Sequence, residues 1–517
     1  MAGRLTDLLD EAVAAGPECP AIRYFDGTIS YGELDQQSDA LAAALQGQGV
    51  SRGDRLMLCL QNVPGFVIAL LAAAKIGVIS VPVNPMYRQR ELTDLIADSS
   101  PVAIIAHGDL LTEVLPHVPG APAIRYVVNP RDRQTENPDC LPAAVAVEGA
   151  AQLDAVIEAH LGQSPVRSEG DPLLLVYTSG TTGKPKGAMI AHANLCAGAG
   201  FYRDAAALAG SGGVLGAAPL FHVTGLSGHI GAAIAAATPL ILCYRFAPEV
   251  VFASIERWRP AFMVASITAF AALIDSPAFA RERMESLQTV FSGGAPIPPA
   301  LHQRIREATG LYVRNVYGLT ETTAPVLAAP ADADTPVDPV SGALSVGRPI
   351  PGTLVRIVVE SDAQAETGEI GEIVVTGPSV VSGYWQNPQA TADSMRADGF
   401  RTGDVGVTDA QGWFYLVDRK KDMIIASGFK VWPREVEDVL YTHPAVREAA
   451  VVGVPDSYRG ETVKAVVSLK PGATALPEEL ADHCKARMAA YKYPRIVEIV
   501  EELPKNAAGK ILRRELA

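Results

Sequence analysis

The chain has 517 residues, 48% of them hydrophobic and 6% aromatic, and a formal charge of −14. That length exceeds one ordinary core, so more than one domain is expected, folded throughout. The acidic balance excludes a sequence-independent attraction to nucleic acid or anionic lipid.

In chain order, the first expected element is an amphipathic helix. Leu5, Leu8, Leu9 and Val13 recur at helical spacing, while Asp7, Asp10 and Glu11 interrupt the apolar run that a signal peptide would need. Gly53 to Pro85 then reads as strand (Leu56 to Leu60), apolar helix (Phe66 to Lys75) and strand (Val78 to Val83). Such a βαβ unit predicts a helix-covered sheet. Pro101 to His107 and Leu173 to Tyr177 are continuous apolar runs, the pattern of strands buried on both faces. The segment 129–163 carries little periodicity and is expected as a surface excursion. Ile230 to Cys243 is too short to span a bilayer and contains Thr238 and Pro239, so a buried helix followed by a strand is expected there. Leu354 to Gly377 suggests a β-hairpin, followed by Gly- and Asp-rich turns. Five consecutive charges, Asp418 to Asp422, read as a hinge, and beyond them a helix at 434–446 and short strands form a small α+β unit. The predicted organisation is a core domain at 1–417, a hinge at 418–422 and a C-terminal domain at 423–517. The C-terminal part is close to neutral, and the acidic excess lies before it. Six cysteines lie far apart with no C-x-x-C pair, which fits neither a disulfide framework nor a zinc site and suits a reducing cytoplasm.

The stretch YTSGTTGKPKG, Tyr177 to Gly187, combines glycines, hydroxyls and two lysines directly after an apolar strand. Backbone N–H groups in such a turn converge on an anion, and hydroxyls and lysines add donors and charge, so the loop suits a polyphosphate. It is not a Walker A loop: the residue five before Gly183 is Thr178, and Pro185 follows Lys184. Nor is it a nucleophile elbow, because Tyr177 rather than a glycine stands two before Ser179. Taken alone, it is also compatible with a plain surface loop.

The extended stretch YTSGTTGKPKGAMIAHAN closely resembles the phosphate-loop signature of the adenylate-forming superfamily of acyl-CoA synthetases, peptide-synthetase adenylation domains and firefly luciferases. The family's other motifs follow in order: PLFHVTGL (from Pro219), SGGAPIP (from Ser292), YGLTET (from Tyr317), RTGD (from Arg401), DRKKDMIIASGFKVWPREVE (from Asp418) and PKNAAGKILRREL (from Pro504). The resemblance implies an α/β fold: a large N-terminal domain of helix-covered sheets with a β-rich subdomain, and a small mobile α+β lid.

It also implies ATP-dependent activation of a carboxylic acid to an acyl-adenylate with pyrophosphate release, then thioester formation with coenzyme A. Such chemistry needs charge neutralisation and alignment more than a protein nucleophile. By resemblance, Thr178, Ser179, Gly180, Thr181, Thr182, Gly183 and Lys186 would wrap the β- and γ-phosphates. Glu321 would hold Mg²⁺ and Thr320 would contact the α-phosphate. Tyr317 and Gly318 would meet adenine, backed by Gly294, Ala295 and Pro296. Asp404 would accept both ribose hydroxyls, with Arg419 adding a ribose or phosphate contact, and Lys421 matches the pivot of the lid. Lys510 matches the lysine that bridges the carboxylate and the α-phosphate. Outside this context Glu321 would be a helix N-terminal residue, Asp404 an Asx-turn and Lys510 exposed.

His222 is placed at the acyl site by the motif, or is a core histidine. Peptide-synthetase relatives carry Asp where this chain has His222, so an amino-acid substrate is disfavoured. Gly225, Gly228, Gly231, Ala232 and Ala233 either leave room for an apolar tail or serve close helix packing. The expected substrate is a medium- or long-chain fatty acid, with an aryl or branched acid as the alternative. An acyl-AMP ligase delivering to a carrier protein is the other reading. A homodimer is an allowed assembly, and no membrane-spanning segment is expected.

Overall fold

The computed structural model describes residues 3–168, 170–178, 185–210, 212–323, 325–339, 341–419, 422–426, 429–456, 460–506 and 509–516, with the backbone alone at 418, 419, 429, 430 and 460. The phosphate-loop residues Ser179, Gly180, Thr181, Thr182 and Gly183, and the pivot Lys421, therefore lie outside the described residues.

Among the described residues the chain forms four sheets, of seven, nine, five and five strands. The seven-stranded sheet contains the expected βαβ unit: strands Arg55–Cys59 and Ile79–Pro82 pair in parallel around the helix Pro64–Lys75. Side chains alternate across a strand. Accordingly Leu56 and Leu58 enter one apolar core while Met57 and Cys59 enter another on the opposite face. The nine-stranded sheet repeats the pattern, with Val214, Phe262, Val264 and Phe291 facing the first core and Leu215, Met263, Ala265 and Val290 facing a third. Both sheets are thus covered on two faces and share the first core, which explains their unbroken apolar strands. Every residue of Pro64–Lys75 is buried within it. The neighbouring helix Tyr31–Gly47 starts on a capping box: Ser30 Oγ accepts the Glu33 N–H, and a Glu33 carboxylate oxygen accepts the Ser30 N–H at 2.7 Å. The N-terminal helix Leu5–Ala15 buries Leu5, Leu8 and Leu9, as its periodicity predicts.

Lys75 is the exception in this core. It is 1% exposed, and its ammonium lies 2.6 Å from Asp35 and 2.7 Å from Asp39 on Tyr31–Gly47. It also donates to the Asp35 carbonyl at 2.9 Å. Removing one partner of such a pair leaves desolvated charge behind. Lys75→Met is expected to lower the unfolding free energy by about 3 kcal/mol, read as a lower midpoint in urea; an unchanged midpoint would contradict this.

The excursion at 129–163 is more ordered than its composition suggests. A short strand, Ala151–Gln152, extends the seven-stranded sheet, and the helix Leu153–His160 follows it. Only Leu153 and Ile157 of that helix are buried. Two buried residues in eight give too weak a period to read in advance.

The β-rich sheet contains the expected hairpin, Leu354–Val358 against Gly371–Thr376, and adds Gly399–Thr408 and Phe414–Arg419. The C-terminal sheet, with strands Val446–Asp456, Gly460–Leu469 and Ile496–Val500, packs on the helices Pro433–Tyr441 and Pro477–Lys485 around a core of its own. The architecture is therefore mixed α/β, with a large N-terminal and a small C-terminal domain. Arg434 Nη1 donates to the Leu416 carbonyl at 3.1 Å, joining the two. All six cysteines are free, and no helix among the described residues is long and apolar enough to cross a membrane.

Candidate active site

Four neighbouring parallel strands of the nine-stranded sheet, Val214–Gly216, Phe262–Ala265, Thr289–Ser292 and Val313–Tyr317, end on one edge. Their carboxyl ends lead into the segments bearing His222, Ser266 and Thr268, Gly294 to Pro296, and Gly318 to Glu321. Ligands of open α/β sheets bind at such edges. Segments far apart in sequence therefore gather because the strands between them are parallel.

Tyr317 closes the last of these strands and is 7% exposed. Its hydroxyl donates to Asp404 Oδ2 at 2.7 Å. Asp404 lies inside the strand Gly399–Thr408, so the Asx-turn alternative does not apply. The pair joins the nine-stranded sheet to the β-rich sheet at the position expected to meet the nucleoside. Asp404 is also directly opposite Arg419 in the ladder, which brings the two expected ribose residues onto adjacent strands. Gly294 adopts φ +83°, and a Cβ built there would meet nothing within 4 Å. The turn expected to back the base is consequently open above Gly294, with Ala295 and Pro296 half-buried beside it.

Glu321 sits in a single 3-10 turn, Thr320–Thr322, rather than at the start of a longer helix. It is 8% exposed, and its Oε1 accepts the Tyr384 hydroxyl at 2.8 Å. Its Oε2 accepts no hydrogen bond from the described residues. Burial, followed by the Glu321 charge, raises the Tyr384 phenol above its ordinary pKa and keeps it a donor. The Lys186 ammonium stands 5.4 Å from the centre of the same ring. Backbone bonds from Trp385 N–H to the Gly187 carbonyl at 2.7 Å and from Met189 N–H to the Gly383 carbonyl at 3.0 Å hold Tyr384 against the strand Lys186–Ile190. Tyr384 thus links the end of the phosphate loop to Glu321, a role sequence reasoning missed. The aromatic pair in SGYWQNP was its only trace.

On the other flank of the loop, Thr178 ends the strand Leu174–Thr178 opposite Lys186 in the antiparallel ladder. The preceding Tyr177 donates to Asp98 at 2.5 Å. Thr178 and Lys186, the expected phosphate contacts among the described residues, are therefore held face to face.

His222 caps the short helix Val223–Gly225. Burial, and then the Lys510 charge, pull its pKa down to about 4, so the imidazole is neutral at neutral pH. Its loop is fixed by two residues that sequence reasoning did not single out. Asn62 donates to the Gly216 and Ala218 carbonyls at 3.0 and 2.9 Å and accepts the Leu220 N–H at 2.9 Å. His229, fully buried, accepts the Ala218 N–H at 3.0 Å.

The glycines after His222 resolve in favour of packing. A Cβ on Gly225 would lie 2.1 Å from the Pro219 carbonyl oxygen, one on Gly228 2.9 Å from Val264, and one on Gly231 3.0 Å from the Ala199 methyl. The space a side chain would take at each of them is occupied by neighbouring elements. Ala232 and Ala233 are likewise buried.

Lys510 reaches this edge from the C-terminal domain. It lies close enough to His222 for its charge to act on the ring, and the preceding Gly509 accepts the Thr268 hydroxyl at 3.2 Å. The edge therefore gathers a buried carboxylate with one oxygen uncommitted among the described residues, a tyrosine–aspartate pair, a loop lysine and a lysine from a second domain. Such a set can neutralise phosphate charge and orient a nucleotide.

The chain is similar to the long-chain-fatty-acid–CoA ligase of Bacillus subtilis (strain 168), 34% identical over 546 residues covering 99% of this chain and 94% of the relative. It is equally similar to a feruloyl-CoA synthase from Amycolatopsis sp, 34% identical over 503 residues covering 97% and 96%. The crystal structure of ATP-bound MatB from Rhodopseudomonas palustris superposes with a TM-score of 0.86 at 28% identity, covering 98% of this chain and 97% of that one. The family model for AMP-binding enzymes matches residues 9–385, and that for the AMP-binding enzyme C-terminal domain matches 435–510. With both parts matched in order around a shared site edge, the chain belongs to the AMP-binding enzymes.

Proposed function

We propose that this AMP-forming acid–thiol ligase joins a fatty carboxylic acid to the α-phosphate of ATP, releases pyrophosphate, and transfers the acyl group from the adenylate to the thiol of coenzyme A. The observation that carries the reading is the seating of Gly509, the residue before Lys510, on the Thr268 hydroxyl at 3.2 Å, at the sheet edge that also bears Glu321 and the Tyr317–Asp404 pair. In the first step an acid carboxylate oxygen attacks the α-phosphorus and the pyrophosphate oxygen leaves. Lys510 faces the negative charge that both partners bring, and Asp404 holds the ribose so that the phosphate stays aligned. In the second step the thiol sulfur attacks the acyl carbonyl and AMP leaves. Neutral His222 can pack beside the acid without adding charge.

The donor set fits a magnesium ion. Among the described residues Glu321 offers a hard oxygen that accepts no hydrogen bond, and no cluster of three or more ligating side chains forms a dedicated cage. Magnesium is usually held by one or two carboxylates together with substrate phosphates. Bound there, it would neutralise phosphate charge. Tyr384 would orient Glu321 for it. Tyr384→Phe is expected to raise the Mg²⁺ concentration needed for half-maximal pyrophosphate release roughly tenfold, the worth of one hydrogen bond to a charged group, with the rate at saturating Mg²⁺ changed far less. An unchanged Mg²⁺ titration would remove Tyr384 from this role.

The test of the function is incubation with MgATP and a panel of fatty and aryl acids, following pyrophosphate and acyl-CoA with and without coenzyme A. Thioester that depends on fatty acids supports the reading. Dependence on aryl acids would change the substrate class, and pyrophosphate without thioester would point to another acceptor, such as a carrier protein.

A further inference from the structure

The contact that seats Lys510 is made by residues without a role in the reaction. Gly509 adopts φ +77°, and a Cβ placed on it would lie 2.7 Å from Thr268 Oγ1 and 2.9 Å from Ser266 Oγ. These hydroxyls are themselves 2.8 Å apart, and Thr268 donates onward to the Gly509 carbonyl at 3.2 Å. Both belong to the segment that follows the strand Phe262–Ala265, Ser266 standing just before the helix Ile267–Asp275 and Thr268 lying in its first turn. The other side of the loop is closed on itself. Asn506 Oδ1 accepts the Lys510 N–H at 2.9 Å, and the Asn506 N–H donates to the Lys510 carbonyl at 2.9 Å. The residue before Lys510 is therefore pressed, backbone first, onto a pair of hydroxyls on the large domain, and the direction in which Lys510 leaves the loop is fixed from both sides.

We propose that Ser266 and Thr268 form a docking platform for the Lys510 loop, and that Gly509 is required because only a residue without a side chain can seat on it. The inference rests on the two-step reading above. The platform touches the C-terminal domain in the arrangement that brings Lys510 to the site, so it favours the arrangement in which Lys510 can serve the first step. A contact made in one arrangement alone can favour only the reaction that arrangement performs. Gly509, Ser266 and Thr268 are thus positioning residues that act through Lys510.

The half-reactions separate the possibilities. Gly509→Ala is expected to slow acid-dependent pyrophosphate release more than tenfold, since the added methyl meets two hydroxyls and the backbone is left-handed. Thioester formation from supplied acyl-adenylate and coenzyme A should stay within about twofold of the unaltered enzyme, which also reports that the variant is folded. Thr268→Ala should slow the first half-reaction roughly threefold to tenfold, the worth of a neutral hydrogen bond, and Thr268→Ser should restore most of the loss. Combining Gly509→Ala with Ser266→Ala and Thr268→Ala removes the clashing oxygens and should recover part of the Gly509→Ala loss. Equal loss in both half-reactions, no loss in either, or no recovery in the combined variant would each overturn the platform. If the unaltered enzyme releases no acid-dependent pyrophosphate, it is the functional reading that fails instead.

Discussion

Lys510→Ala is expected to lower acid-dependent pyrophosphate release by at least about a hundredfold, the usual cost of removing one preorganised donor from a site of developing charge. Two negatively charged reactants, a carboxylate and a triphosphate, must approach one another in this step. The lysine sits at the end of a loop braced by Asn506 and seated on Thr268, so its charge is delivered without reorganisation. The second half-reaction starts from a mixed anhydride with less charge to neutralise. Supplied acyl-adenylate should therefore be converted to thioester at close to the unaltered rate. Measuring the two half-reactions separately decides the matter, and a Lys510→Ala enzyme with undiminished pyrophosphate release would contradict the assignment. Lys510→Arg should recover little, because a wider, planar cation cannot replace a point charge in the same seat.

Asp404→Ala should raise the KM for ATP roughly a hundredfold while changing kcat much less, as expected when uniform binding is lost. The carboxylate can accept two ribose hydroxyls, and hydrogen bonds to a charged group contribute about 1.5–3 kcal/mol each. The same carboxylate now accepts the buried Tyr317 hydroxyl at 2.7 Å. Tyr317→Phe in the Asp404→Ala background removes that hydroxyl as well. The double variant should show no recovery of ATP affinity. Recovery of affinity would mean that the tyrosine, not the nucleotide, is the main partner of Asp404.

Much of this was legible in the sequence, for identifiable reasons. Strands such as Ala103–His107 were visible because burial on both faces leaves an unbroken apolar run. The helix Leu5–Ala15 was visible because its apolar residues repeat at helical spacing. The site motifs were visible because each is a short local stretch. Residues that work only through distant partners were hidden. Asn62 bonds to Gly216 and Ala218, Tyr384 to Glu321, and Thr268 to Gly509. In each case the residue type alone gives no sign of a partner more than sixty positions away. The glycines after His222 show a related ambiguity. A missing side chain marks space equally well whether a substrate or a neighbouring helix fills it, and here Val264 and Ala199 occupy the positions beside Gly228 and Gly231.

The four parallel strands whose ends form the site edge also bear on how such a protein diversifies. Each strand is locked into the sheet by its neighbours and by cores on both faces, whereas the segment that follows it is held at fewer points. Substitutions at the exposed positions of one such segment leave the strands of the others in register. Selectivity and fold can accordingly drift at different speeds, so overall divergence between two such proteins is a poor clock for changes in diet.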